Sequence, residues 1–141
     1  MKVADLPAVA GIDHSVYGGD SYTEMTMRQQ LDIAGPLFSV ATEGDTVVGY
    51  ALVVPTFREH EAYFMALVVA ERHRCRGFGR ALVERSLQTC DDLGFSAISL
   101  TVDAGNDIAM KLYSTFSFIQ VDEVRGYFGE DKDRLVLVRT T

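Results

Sequence analysis

Apolar positions recur at helical spacing near the start of the chain, then at strand spacing, and afterwards alternate between the two. Asp5 is a good N-cap, Pro7 suits the first turn and Gly18-Gly19 close the pattern, so a first helix is predicted between them. A second is predicted from Ser21 or Thr23 through Arg28–Leu31 to the stop at Gly35-Pro36. Leu37–Thr42 and Thr46–Val54 read as two strands around Glu43-Gly44-Asp45, a hairpin signal. Ala62–Ala70 is a nearly continuous apolar run with Val68-Val69, the pattern of a strand buried on both faces. Residues 71–80 show no apolar period. A long helix fits from Phe78, with Ala81, Leu82, Arg85, Ser86 and Leu87 at helical spacing and Gly94 as its stop. Ser96–Asp103 reads as a strand, Gly105-Asn106 opens a shorter helix through Phe116, and Phe118–Phe128 and Leu135–Arg139 read as two antiparallel strands. A strand before each of the two later helices is what crossover units require, so the expected class is α/β with a mixed sheet.

No internal repeat, low-complexity tract or linker interrupts the 141 residues, and one domain is expected over 1–141. With 48% apolar and 23% charged residues the chain has the composition of a folded domain. Its formal net charge of −7, from 20 acidic against 13 basic side chains, disfavours a nucleic-acid partner and is compatible with a cationic substrate such as an amine. A helix joining Cys75 to Cys90 would hold them about 22 Å apart, beyond disulfide reach. His14, His60 and His73 are scattered and form no metal-ligand cluster with them, so no metal is expected. Asp5 and Pro7 interrupt the apolar run a signal peptide needs, and the longest apolar stretch, nine residues, is too short to span a bilayer. A cytoplasmic protein with no membrane contact is expected.

The most informative segment is Arg72-His73-Arg74-Cys75-Arg76-Gly77-Phe78-Gly79-Arg80, which holds four of the 13 basic residues of an acidic chain. It leaves a buried strand and enters a long helix, where unpaired N–H groups and the helix dipole favour an anion. Gly77 and Gly79 let a phosphate approach the backbone, and the arginines could add charge-assisted contacts. There is no Gly-Lys-Ser/Thr ending, which excludes a nucleoside-triphosphate loop, and Leu82 stands where a dinucleotide fingerprint needs its third glycine. A phosphate or pyrophosphate cradle and a plain solvated basic turn both remain.

Arg74-Cys-Arg-Gly77-Phe-Gly79 resembles the R/Q-x-x-G-x-G/A signature of the GNAT superfamily of N-acetyltransferases. Upstream, Leu67-Val68-Val69 stands at the usual place of that family's bulged fourth strand. Downstream, Asn106-x-x-Ala109-x-x-Leu112-Tyr113-x-x-x-Ser117-Phe118 is similar to its N-x-x-A-x-x-L-Y-x-x-x-G-F. The resemblance implies a single-domain acyl-CoA N-acyltransferase fold, with a twisted, mostly antiparallel mixed sheet, about four flanking helices and a first strand that is short or missing. It implies acetyl-CoA as co-substrate and an amine as acceptor. Coenzyme contacts fall on Leu67, Val68 and Val69, on Arg74, Cys75, Arg76, Gly77, Phe78, Gly79 and Arg80, and on Asn106, Ala109 and Tyr113.

Tyr113 matches the tyrosine placed near the coenzyme sulfur, a candidate general acid, because a phenol can protonate a departing thiolate. It stands beside the Ile108, Leu112, Phe116 stripe, so a core-edge aromatic is its other reading. For the base, Glu61 and Tyr63 share one strand face; Glu61 is the catalytic candidate and Tyr63 a substrate contact, and a polar strand entrance exposed to water is their other reading. One branch of the family carries a glutamate where this chain has Thr101, and Asp103 lies two residues further along the same face. Ser117 replaces the usual glycine of the second motif. Glu24, Asp103 and Tyr127 complete the substrate candidates, with Asp20, Glu130, Asp131 and Asp133 making both lips acidic; a solvated acidic surface, and for Tyr127 an ordinary strand pair with Phe128, are the other readings. The missing first strand leaves a sheet edge that a second copy could cover, a homodimer. An amine N-acetyltransferase is expected; a non-catalytic acyl-CoA binding module on the same fold and an unrelated anion-binding protein are the other readings.

Overall fold

The computed structural model describes residues 1–141. In chain order the elements are α1 Leu6–Tyr17, α2 Glu24–Ala34, β1 Phe38–Glu43, β2 Thr46–Pro55, β3 Glu61–Val69, α3 Phe78–Asp92, β4 Ala97–Asp103, α4 Asp107–Ser114, β5 Ile119–Val124 and β6 Arg134–Thr140. Local chemistry sets several boundaries. Pro7 occupies the first turn of α1, the Thr23 hydroxyl accepts the Thr26 N–H to cap α2, and the Asn106 side chain accepts the Ala109 N–H to cap α4.

All six strands form one mixed sheet in the order β1-β2-β3-β4-β6-β5. Only β3 and β4 run parallel, because α3 carries the chain from the end of one back to the start of the other. Their pairing is short. Glu61–Tyr63 meets Ala97–Ser99, and beyond that point the two strands separate. Phe64–Val69 and Leu100–Asp103 therefore face one another across a gap, which becomes the cleft described below.

The core is built on β2. Tyr50, Leu52 and Val53 are fully buried, with Phe38 from β1, Val9 from α1, Met27 from α2 and Val83 from α3 around them. Burying a side chain of this size contributes roughly 1.5–3 kcal/mol, so the sheet is pinned on both faces before any polar contact is counted. The buried acidic side chain is Asp13, which accepts hydrogen bonds from the Tyr50 hydroxyl at 2.5 Å and the Tyr22 N–H at 2.7 Å. Those bonds tie α1 to the sheet and to the start of α2.

Three expectations change. β3 is not buried on both faces: residues 65–67 and Val69 are only partly covered, because they line the gap left by β4. The β-bulge of β3 lies at Met65, since Leu52 pairs with Ala66 and Val53 with Phe64, two residues before the segment where the resemblance put it. β5 stops at Val124 rather than Phe128, because the Asp133 carboxylate takes the Gly126 N–H at 2.8 Å and curls residues 125–133 into a loop. The expected lack of a first strand holds: Val3–Asp5 is a single 3-10 turn before α1, and β1 is an edge of the sheet.

Candidate active site

The gap between β3 and β4 opens into a cleft of about 750 Å³. One wall is the half of β3 that has lost its neighbour. Ala70 donates to the Val48 carbonyl at 2.8 Å, so the alternation of an antiparallel ladder gives Val68 to β2 and turns the backbone groups of Leu67 and Val69 away from it. These two residues present free N–H groups toward the splayed side, and the Val69 carbonyl accepts a bond from Arg74 Nε at 3.2 Å. The Val68 side chain packs in the core.

The loop after β3 ends at the N-terminus of α3. Cys75 and Gly77 both have positive φ, +59° and +88°, so the backbone reverses twice in three residues and its N–H groups converge. The N–H groups from Cys75 through Arg80 donate to no protein acceptor. That is a concentration of unpaired donors at the positive end of a 15-residue helix. Gly77 supplies a left-handed conformation with nothing near its missing side chain. At Gly79 an added Cβ would meet Leu112 and Val69 at an ordinary 3.9 Å. The arginine side chains do less than the sequence suggested. Arg76 is drawn back to Glu43 on β1 through contacts of 2.8 and 3.0 Å, which hold the Glu43 carboxyl below its usual range. Arg80 donates to the Thr115 hydroxyl and lies over the Phe116 ring. Phe78 packs beside His73 and under Arg76. The backbone remains as the free donor set.

Asn106, Ala109 and Tyr113 of the α4 segment line the opposite side of the cleft. Tyr113 is only 6% exposed and stacks edge-on with Phe64 and Phe118, so both the core and the cleft claim it. Burial, with a smaller contribution from Tyr17, raises its hydroxyl well above the ordinary phenol value and keeps it protonated. At the far end, the Tyr63 hydroxyl lies 3.2 Å from the Thr101 hydroxyl. Burial pushes Tyr63 up to about 12, with Thr101 acting the other way and Tyr127 adding to the rise. Tyr127 and Asp103 line the same end.

Two candidates are not brought there. Glu61 shares the face of Tyr63 but lies a further two residues out, about 7 Å along the strand, and its carboxylate pairs with Arg58 at 3.5 Å. Glu24 is an exposed first residue of α2, outside the cleft wall. The acidic lips are also partly neutralised, because Lys132 bridges to Asp20 at 3.2 Å across the mouth. Sequence reasoning missed Asp13, Tyr17, Tyr22, Lys132 and Arg134, all of which line the cleft. Their only sequence signal was an apolar face of α1 interrupted by a charge at Asp13.

No helix is long and apolar enough to cross a membrane, and no group of three or more His, Cys, Asp or Glu side chains is placed to hold a metal ion.

Comparison with known proteins places this geometry. The family model described as "Acetyltransferase (GNAT) family" matches residues 9–118. Human N-acetyltransferase 8 is 34% identical over 109 residues, covering 69% of this chain and 48% of that protein, so the chain spans about half the length of that relative. An N-alpha-acetyltransferase of Saccharolobus solfataricus is 24% identical over 132 residues, 85% of this chain and 78% of that one. The crystal structure of Ard1 from Thermoplasma volcanium superposes with a TM-score of 0.90 at 23% identity, over 100% of this chain and 94% of that one. Arabidopsis thaliana Naa50, solved in complex with the bisubstrate analogue CoA-Ac-MVNAL, gives 0.86 at 23%, over 100% and 95%.

Proposed function

The chain belongs to the acetyltransferase (GNAT) family, and from that premise we propose that it transfers an acetyl group from acetyl-CoA to a primary amine of a small molecule or peptide, by direct attack in a ternary complex. The observation that carries this reading is two sets of free backbone donors flanking one strand-to-helix turn, the outward-facing N–H groups of Leu67 and Val69 and the unpaired N–H groups of residues 75–80. A phosphorylated ligand with an extended amide-bearing arm matches it in both charge and hydrogen-bond sense. CoA-bearing family neighbours, among them Naa50 with its bisubstrate analogue, support the same ligand.

Acetyl-CoA, when bound, supplies an acetyl thioester. The loop amides hold the pyrophosphate, and Asn106 and Ala109 bound the channel for the arm. The Val69 N–H, aimed at the gap, stabilises the negative charge that develops on the acetyl oxygen. Tyr113, its hydroxyl protonated at neutral pH, is the proton donor to the leaving sulfur, and its burial makes it a weaker acid than a free phenol. The acceptor amine enters from the Tyr63–Thr101 end. Its proton leaves along those paired hydroxyls toward Asp103 and water, because Thr101 carries no carboxylate of its own.

Calorimetry with acetyl-CoA and a thiol-release screen over an amine panel test the reading, with Tyr113→Phe as the diagnostic variant. Loss of a general acid lowers kcat by roughly 10²–10⁴-fold while CoA affinity stays within about twofold. An unchanged kcat removes Tyr113 from the reaction. A folded protein that binds no acetyl-CoA overturns the proposal as a whole, and binding without release from any amine reduces it to a CoA-binding module.

A further inference from the structure

Six of the ten arginines are paired, Arg28, Arg58, Arg76 and Arg139 in ion pairs and Arg74 and Arg80 in hydrogen bonds, while Arg72, Arg85 and Arg125 are exposed and lie outside the cleft. Arg134 is different. It is the first residue of β6, lines the cleft and is half-buried, yet it makes no hydrogen bond and has no carboxylate within 4.0 Å. Its guanidinium lies 4.9 Å over the Phe128 ring, a contact that leaves its donors unused. The carboxylates nearest to it in the fold each carry another contact and none pairs with it. Asp103, its cross-strand partner, accepts the Gly105 N–H at 2.8 Å; Asp20 is bridged by Lys132; Asp13 lies under Tyr50 and Tyr22; Asp133 takes the Gly126 N–H.

Arg134 also stands at a defined separation from the reacting end. It lies opposite Asp103, and Asp103 is two residues, about 7 Å, along β4 from Thr101 on the same face. A flexible arginine can reach back over part of that interval. An amine at the Tyr63–Thr101 hydroxyls and an anion on Arg134 thus share one cleft, at neighbouring positions of one sheet face. A planar fork of free donors fits a carboxylate in bidentate fashion, and the partly dry cleft strengthens the pair.

Resting on the acetyltransferase reading above, we infer that the acceptor is a free α-amino acid, its amine at Tyr63–Thr101 and its carboxylate on Arg134. A lysine side chain within a protein, or a peptide N-terminus whose first carboxyl is an amide, leaves the guanidinium without its partner.

The test uses the products, so that it does not depend on turnover. Calorimetry on the full chain in the presence of saturating CoA compares N-acetylphenylalanine and N-acetylglycine with their carboxamides. The acids are expected to bind at least tenfold more tightly than the amides. In Arg134→Gln that ratio falls to about one, and in Arg134→Lys it is partly restored, with unchanged thermal unfolding showing that each variant is folded. Equal binding of acid and amide to the native chain overturns the inference, as does binding of neither, or an acid preference that survives Arg134→Gln. A thiol-release assay run alongside reports separately on transfer, so amides acetylated as fast as acids would sink the amino-acid acceptor while leaving the transferase intact.

Discussion

Gly77→Ala and Gly79→Ala, two substitutions in one loop that add the same methyl group, should have different consequences. At Gly77 the backbone sits at φ +88°, ψ −4°, and a Cβ there would touch nothing within 4 Å. The cost is therefore purely conformational, about 1–2 kcal/mol for an L-residue held left-handed. Gly79 has no positive φ, and its Cβ would make only ordinary contacts at 3.9 Å, so no strain arises. Both changes also stiffen the unfolded chain, worth about 0.4–1 kcal/mol toward stability, and this contribution cancels in the comparison. The strain at position 77 then has two places to appear. If the loop keeps its shape, Gly77→Ala unfolds in urea about 1–2 kcal/mol more easily than Gly79→Ala with the same CoA affinity. If the free loop relaxes to negative φ, stability recovers, and CoA must restore the strained form, weakening binding by roughly 5–30-fold. Urea titration and calorimetry on both variants give the two parts, whose sum should be about 1–2 kcal/mol. A sum near zero, or equal losses in both variants, refutes the claim that a left-handed Gly77 shapes the donor cradle.

Ser117 stands where the family motif has glycine, and it adopts φ +66°, so the turn is kept at the expense of strain. Ser117→Gly should raise stability by up to about 1 kcal/mol, read as a thermal midpoint about 2–4 °C higher; a lower midpoint would mean the serine hydroxyl matters more than its backbone. Tyr50, fully buried and bonded to Asp13, is pushed far above the ordinary phenol range by burial first and Asp13 second. Above about pH 10 the unfolded tyrosine releases its proton while the folded one keeps it, so the stability present below that pH is lost as pH rises, by about 1.4 kcal/mol per unit. Urea titrations from pH 8 to 11 should show this slope reduced by that amount in Tyr50→Phe. A cycle combining Tyr50→Phe with Asp13→Asn should give a coupling of about 1.5–3 kcal/mol, and additive losses would contradict the bond.

Helix starts and stops were legible because they are local: Pro7, Thr23, Asn106 and the glycine stops act within four residues. β3 was legible as a strand and misread in its surroundings. An apolar run reports that side chains avoid water, but not whether a neighbouring strand stays beside them, and here β4 leaves after three paired residues. The bulge at Met65 was invisible for the same reason, since it exists only in the register with β2. The aromatic pair Tyr127-Phe128 looked like the end of β5, but Asp133, seven residues from Gly126, decides that the chain turns there.

The two halves of the cleft differed in legibility for a physical reason. The donor half is made by consecutive backbone, residues 67–80, and its requirements reach the sequence directly as glycines at fixed spacing on a strand-to-helix turn. Side chains in that half were the misleading part, because Arg76 and Arg80 are spent on Glu43 and Thr115. The acceptor half is made by side chains from separate segments: Asp13 to Tyr22, Tyr63, Thr101 to Asp103, and Tyr127 to Arg134. Each looks ordinary alone. Asp13 becomes notable only when it is under Tyr50, and Arg134 only when it lines the cleft with no carboxylate paired to it. Backbone recognition therefore constrains residue type over a short window and can be read in one dimension. Acceptor choice depends on which charges remain unpaired after folding, and that difference between the whole charge inventory and its internal pairings exists only in three dimensions.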